Sequence, residues 1–337
     1  MNKKKIKIII VLVILSAILS LGIFFIFSQI SSFIKTPFNP SATEKLFIIK
    51  PGENLKSIAA NLEKESIISN STYFTLFTKF KKADKKLQAG EYILSAAKSP
   101  RQILRILQKG KVKLYKITIP EGLNINGVAW LVEKNLLCNK MEFKSLCNNR
   151  PFINSFGIKA TSLEGYLFPD TYFFPKNVSC KKIIANMVEH FNKVFTKEWE
   201  LRAKNMGFSV HDIVILASII EKETGDASER PIIASVFHNR LKKNMRLESD
   251  PTVIYGIKNF DGNIKRKHLK MLTPYNTYKI KGLPIGPIAN PGALSLQAAL
   301  NPATTPYLFF VSKKDTTHKF SKTIGEHNRA VKKYQLR

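Results

Sequence analysis

Two glutamates, Glu221 and Glu223, end an apolar run that reads IVILASIIEKETG from Ile213 to Gly225. Ile213, Ala217, Ile220 and Thr224 recur at helical spacing, which predicts a helix capped by Ser209 and stopped by Gly225. Both glutamates then fall in its last turn. The end of a helix carries partial negative charge, and an apolar wall disfavours a carboxylate. Both push a carboxyl there toward holding its proton. Such a group can act as a general acid. Residues two apart do not share a helix face, so Glu221 and Glu223 point to different sides. Spacing alone does not choose between them.

A second helix follows, with Ser228 as its cap, Pro231 near its first turn and Ile233, Val236, Phe237 and Leu241 as its inner stripe. It ends near Asn244 and carries Asn239 and Arg240, either of which could position a substrate. The loop from Met245 to Tyr255 adds Glu248 and Asp250. The plain alternative is two core helices with charged ends, since structural charges are common there. Upstream, LEGYLFPDTYFFP (163–175) sets Glu164, Tyr166 and Asp170 among aromatic rings. Rings pack on the C–H faces of sugars and carboxylates accept their hydroxyl protons. A buried aromatic turn with Glu164 as a cap is the competing reading.

ASIIEKET (217–224), ASERPIIASVFHNRL (227–241) and the M-x-L-x-x-DPTVIYG run (245–256) resemble the endolytic murein transglycosylase, or YceG-like, family. LEGYLFPDTY, GLPIGPIANPG (282–292) and HKFSKTIGEHNRAV (318–331) extend the resemblance over most of residues 46–337. Two positions depart from the family pattern: Glu248 stands where Gln is usual, and Ile285 where Pro is usual. The resemblance implies cleavage of the bond between N-acetylmuramic acid and N-acetylglucosamine to a 1,6-anhydro end, a lyase reaction needing one acid/base group. It implies Glu221 as that group and places the 163–175 segment beside the cleft; Glu248, Asp250, Asn239, Glu164 and Tyr166 are the expected substrate contacts. It implies neither metal nor cofactor. The partners it implies are peptidoglycan strands and peptidoglycan synthases such as penicillin-binding proteins.

The elements that must carry these residues are legible in outline. The chain has 337 residues, a formal net charge of +30, 44% hydrophobic residues and three cysteines. Charge of this size could mean nucleic acid. The lysines are spread along the chain, however, and no nucleic-acid motif accompanies them. A face working beside anionic envelope material fits better, and no nucleic-acid partner is expected. Three cysteines are too few for a disulfide scaffold. Cys138 and Cys147 are close enough in sequence to pair outside the cytosol, or to stay free. Lysines in residues 2–7 precede an uncharged run, Ile8–Phe27, about as long as a bilayer span. It lacks the small-residue cleavage site of a signal peptide. An uncleaved single-pass anchor in the inner membrane follows, with its N-terminus in the cytoplasm and the remainder periplasmic.

The expected architecture is therefore α+β: a cytoplasmic tail (1–7), a transmembrane helix (8–28), a tether (29–45), a small α/β subdomain (46–118) and a larger α+β catalytic domain (119–337). In the subdomain, I-x-x-G-E-N-L-x-x-I-A resembles the opening of a LysM glycan-binding module, and Phe74, Phe77 and Phe80 read as core. A non-catalytic murein-binding protein working through that module is the alternative function. Farther on, Gly282–Gly292 reads as a rigid loop able to wall a cleft, and Tyr307–Val311 as a strand. His318 and Glu326–Asn328 match no zinc spacing and read as structural hydrogen bonding.

Overall fold

The computed structural model describes residues 3–336 except 177 and 259, with side chains from residue 9 onward. The chain divides into two compact units, Met1–Tyr115 and Lys116–Arg337. It is a mostly helical α+β protein with few, short strands.

The first unit opens with α1 (Lys3–Lys35), whose stretch Ile9–Lys35 is long and apolar enough to cross a membrane (mean hydropathy 3.1). The helix does not stop at residue 28. It runs on to Lys35, into the expected tether, and Phe33 and Ile34 of its last turn pack on the unit's core. β1 (Lys45–Ile49) leads to α2 (Leu55–Lys64) and α3 (Ser71–Phe80), whose caps Asn54 and Asn70 accept backbone N–H groups. β2 (Gly90–Leu94) pairs antiparallel with β1, Phe47 opposite Tyr92. α4 (Pro100–Gln108) starts on a capping box between Ser99 and Gln102. Alternate strand residues and one face of each helix build a core of Phe47, Ile58, Leu62, Phe74, Tyr92 and Ile103. Phe80 departs from the expected core and is 81% exposed. Six residues beyond Phe74, it has turned well off the buried helix face.

β3 (Leu114–Thr118) pairs with β4 (Thr171–Pro175). Between them come α5 (Ile125–Lys134), α6 (Lys140–Cys147) and α7 (Arg150–Asn154). After β4 come α8 (Cys180–Val194) and α9 (Lys197–Asn205), then α10 (Val210–Glu223). Every residue from Ile213 to Ile220 is buried, so α10 is wrapped on all sides rather than along the single stripe its spacing suggests. Its neighbours are α9, α11 (Arg230–Lys242), α12 (Asp250–Tyr255) and α14 (Ala293–Leu300). A short α13 (Arg266–Lys270) precedes the proline loop. An antiparallel hairpin of β5 (Phe309–Ser312) and β6 (His318–Ser321) leads to α15 (Ile324–Tyr334).

One local expectation changes, and one alternative left open by the sequence is decided. Ser228 is not the cap of α11. It lies in a 3-10 turn whose own cap is Asp226, and Glu229 precedes α11 without capping it through its side chain. Nor does Cys138 pair with Cys147. It is bridged to Cys180 at the start of α8, while Cys147 stays a buried thiol. The reason is geometric: Cys147 lies on the inward face of α6, and Cys138 precedes that helix. With its two cysteines 42 positions apart in sequence, the bridge limits the unfolded chain by about 4 kcal/mol on loop-entropy grounds. Cys138→Ser is therefore expected to lower unfolding stability by roughly 2–4 kcal/mol. A denaturant midpoint that ignores added reductant would show the bridge is not formed.

Candidate active site

α10 delivers its two glutamates from a fixed frame. Ser209 and Asp212 close a reciprocal capping box at its start, and the Thr224 hydroxyl donates to the Ile220 carbonyl at its end. At Gly225 an added Cβ would lie 2.3 Å from the Thr316 carbonyl oxygen, so the chain can leave the helix there only as glycine.

The Glu221 side chain is 7% exposed. Its Oε2 accepts the Gly292 N–H at 3.0 Å, and its Oε1 faces Arg230 Nη2 at 3.4 Å. Arg230 is the first residue of α11, an end where the helix dipole disfavours a cation. It is held by acceptors instead: the Ser295 hydroxyl at 3.0 Å from Nε, and Glu121 Oε2 at 3.6 Å from Nη2. Glu121, half exposed in the Pro120–Gly122 turn, is pushed above the ordinary carboxyl range. Partial burial is the main cause, the Glu221 charge adds to it, and Arg230 opposes it.

Glu223 turns to the other side of α10, as two-residue spacing requires. Its Oε1 accepts the Ser249 hydroxyl at 2.6 Å. Burial, reinforced by the nearby Asp250 charge, pushes its carboxyl up to about 7 despite that bond. Asp250 accepts the Tyr278 hydroxyl at 2.8 Å. Glu248, at φ +52°, accepts from Arg240 Nη1 at 3.0 Å. Buried Arg240 also donates to the carbonyls of Leu308, Arg246 and Leu247.

The remaining sequence candidates lie in other surroundings. Asn239 gives its amide to the carbonyls of Thr305 and Tyr307. The Tyr166 hydroxyl meets His211 Nδ1 at 2.8 Å, its ring stacked on the imidazole, and both line a cavity of about 620 Å³ at the opposite end of α10. Glu164 is buried and caps α5 by accepting the Ile125 N–H at 3.0 Å, and it also accepts the Tyr255 hydroxyl at 2.9 Å. Burial outweighs these bonds and pushes its carboxyl up to about 7. His318 is paired with Glu229 at 2.7 Å.

One buried amide joins the segments around Glu221. Asn290 Oδ1 accepts the N–H groups of Gly165 and Leu167, and its Nδ2 donates to the Leu123 carbonyl. Its own N–H also reaches the Leu123 carbonyl, and its carbonyl accepts the Gly122 N–H. The Ile288 N–H adds a bond to the Ser218 hydroxyl of α10. Gly165, at φ +87°, lets Val214 and Pro287 close against it, where a Cβ would lie 2.6 and 2.7 Å from their side chains.

The structure thus gathers Glu221 with Glu121, Arg230 and Gly292, and gathers Glu248 and Asp250 near Glu223. Glu121, Arg230 and Asn290 are the residues that sequence reasoning left out. The available signal for Arg230 was a cation at a helix N-terminus, which requires carboxylate partners.

Fold and site define a class: a helical α+β protein whose core helix ends on a buried glutamate held by an arginine and a backbone N–H. The model of the YceG-like family matches residues 47–333, and the chain belongs to that family. The endolytic murein transglycosylase of Bacillus subtilis (strain 168) is 35% identical over 302 residues, covering 85% of this chain and 83% of that protein. The endolytic murein transglycosylase of Streptococcus pneumoniae D39 is 27% identical over 78% of this chain, which spans 53% of that longer relative. A crystal structure of a yceG-like protein from Listeria monocytogenes matches with a TM-score of 0.59 at 35% identity, covering 86% of this chain and 99% of that one.

Asn290→Ala leaves two buried N–H groups unpaired and is expected to cost roughly 2–5 kcal/mol in denaturant unfolding. A second expectation concerns pH. Glu164 is raised from 4.5 to about 7 in the folded chain. The folded state therefore holds a proton that the unfolded state has lost, and stability falls as pH rises through that window. Glu164→Gln should flatten the decline in melting temperature between pH 4.5 and 7 relative to the parent chain, and an unchanged slope would contradict the assignment.

Proposed function

We propose that this chain is a membrane-anchored lytic transglycosylase that cuts nascent peptidoglycan strands and so limits their length. The observation that carries the reading is Glu221, a nearly buried carboxyl presented at the end of a core helix with donors on both oxygens. The names of the relatives support the substrate class.

Glu221 gives its proton to the O4 of the departing N-acetylglucosamine as the C1–O4 bond of N-acetylmuramic acid breaks. The C6 hydroxyl of the same muramoyl residue attacks C1, and its proton passes to the Glu221 carboxylate. No water is consumed, and the acid is regenerated. The Gly292 N–H fixes the orientation of the carboxyl through both steps. Glu248 and Asp250 are assigned to the sugar contacts beside the Glu223 face, and α1 to the single-pass anchor, with the two units outside the cytoplasm. The first unit is assigned to glycan binding as a LysM-like module, and peptidoglycan synthases to the partners.

One observation favours a second assignment within the same reaction. Glu223, raised to about 7, meets the proton requirement of an acid, although the Ser249 hydroxyl occupies one of its oxygens. Mass analysis of muropeptides released from purified murein separates the two. Glu221→Gln is expected to lower the yield of 1,6-anhydro ends by at least about a hundredfold, with Glu223→Gln retaining turnover. The reverse pattern would move the acid to Glu223. Retained turnover in both variants would remove the proposal.

A further inference from the structure

We infer that Glu121 is a positioning residue for the reaction: it shares Arg230 with Glu221 and so sets how firmly that guanidinium holds the Glu221 carboxyl in its ionised form. The inference rests on Glu221 being the proton donor.

Two independent contacts bring Glu121 to this place. Arg230 Nη2 stands 3.4 Å from Glu221 Oε1 and 3.6 Å from Glu121 Oε2, so one nitrogen serves both carboxyls. Gly292 lies between them as well. Its N–H donates to Glu221, and a Cβ added on its other side would fall on Glu121 Oε1. The two carboxyls therefore flank one glycine and one guanidinium, although their residues are a hundred positions apart.

An arginine alone beside Glu221 would work against acid catalysis. A neighbouring cation favours the carboxylate, and a carboxylate has no proton to give. Glu121 supplies the offsetting charge. Paired with Glu121, Arg230 presents little net charge to Glu221, yet its N–H groups still orient the carboxyl. The other charges around Glu221 do not perform this task. Lys222 reaches toward the Gly122 carbonyl, and Glu223 faces Ser249 on the opposite side of α10. The 282–292 loop and α14 bring no titratable side chain. Near the helix end, Glu229 is paired with His318, and Asp315 accepts from Thr317.

The test uses the full chain in detergent, with anhydro-end release from purified murein followed across pH. A general acid loses activity on the alkaline side, where its proton dissociates. Glu121→Gln removes the offsetting charge, and the alkaline limb should move to lower pH by roughly half to one unit. Arg230→Gln removes the cation, and the limb should move to higher pH. Glu121→Asp should return it toward the parent position. A merely structural role would lower turnover without moving the limb, and shifts of the same sign in the two Gln variants would contradict the charge argument. Either result overturns the inference. A second readout needs no turnover: carbon-13 titration of the Glu221 carboxyl, assigned by its loss in Glu221→Gln, should show the same opposed shifts. If the parent chain releases no anhydro ends, the proposed function falls, and the carbon titration still decides for or against Glu121.

Discussion

Outside a lipid bilayer, a helix that is apolar all the way round has nowhere to rest except inside a protein. Ile213–Ile220 of α10 meets this condition, and the second unit is arranged around it. Burial of each large side chain contributes on the order of 2 kcal/mol, so no arrangement that leaves one flank of α10 wet competes. The polar groups at its end inherit the consequence. Glu221 and Glu223 emerge where α11, α12 and α14 already crowd the helix, and each has to find donors there. Glu221 finds a guanidinium and a backbone N–H, and Glu223 finds a serine hydroxyl. The site is the solution to a packing problem before it is a chemical device.

Three carboxyls in this unit show how far environment separates like groups. Glu164 and Glu223 are enclosed, and burial lifts each to about 7. Glu121 stays half in solvent with a cation beside it. Holding these environments apart needs stiff walls. The buried Asn290 side chain supplies one by bonding to the backbone near both Leu123 and Gly165. The loop that carries Asn290 also carries Gly292, so the donor to Glu221 cannot shift without breaking those bonds.

Local sequence signals carried much of this. The cap at Ser209, the stop at Gly225 and the divergence of Glu221 from Glu223 follow from spacing within one helix. The membrane-length helix and the β1–β2 unit followed from composition and turn residues. What the sequence concealed depends on partners brought from far along the chain. Arg230 reads as an ordinary surface cation until Glu121 and Ser295 are beside it. Asn290 reads as one more turn residue in a proline-rich loop. The bridge from Cys138 to Cys180 depends on how α8 lies against α6, which no spacing encodes. Phe80 illustrates the converse: three regularly spaced phenylalanines suggest one buried face, but helix rotation carries the third into solvent.

The continuity of α1 into the first unit has a mechanical meaning. The stretch Ile9–Lys35 has 27 residues, a rod about 40 Å long at the usual helical rise. The hydrocarbon layer takes up about 30 Å. The remaining two turns carry Phe33 and Ile34, which are seated in the first unit's core. Those two side chains tie the end of the helix to the unit. Embedded in a lipid sheet, the rod would act as a stilt: any lean it took would be passed to the first unit through Phe33 and Ile34.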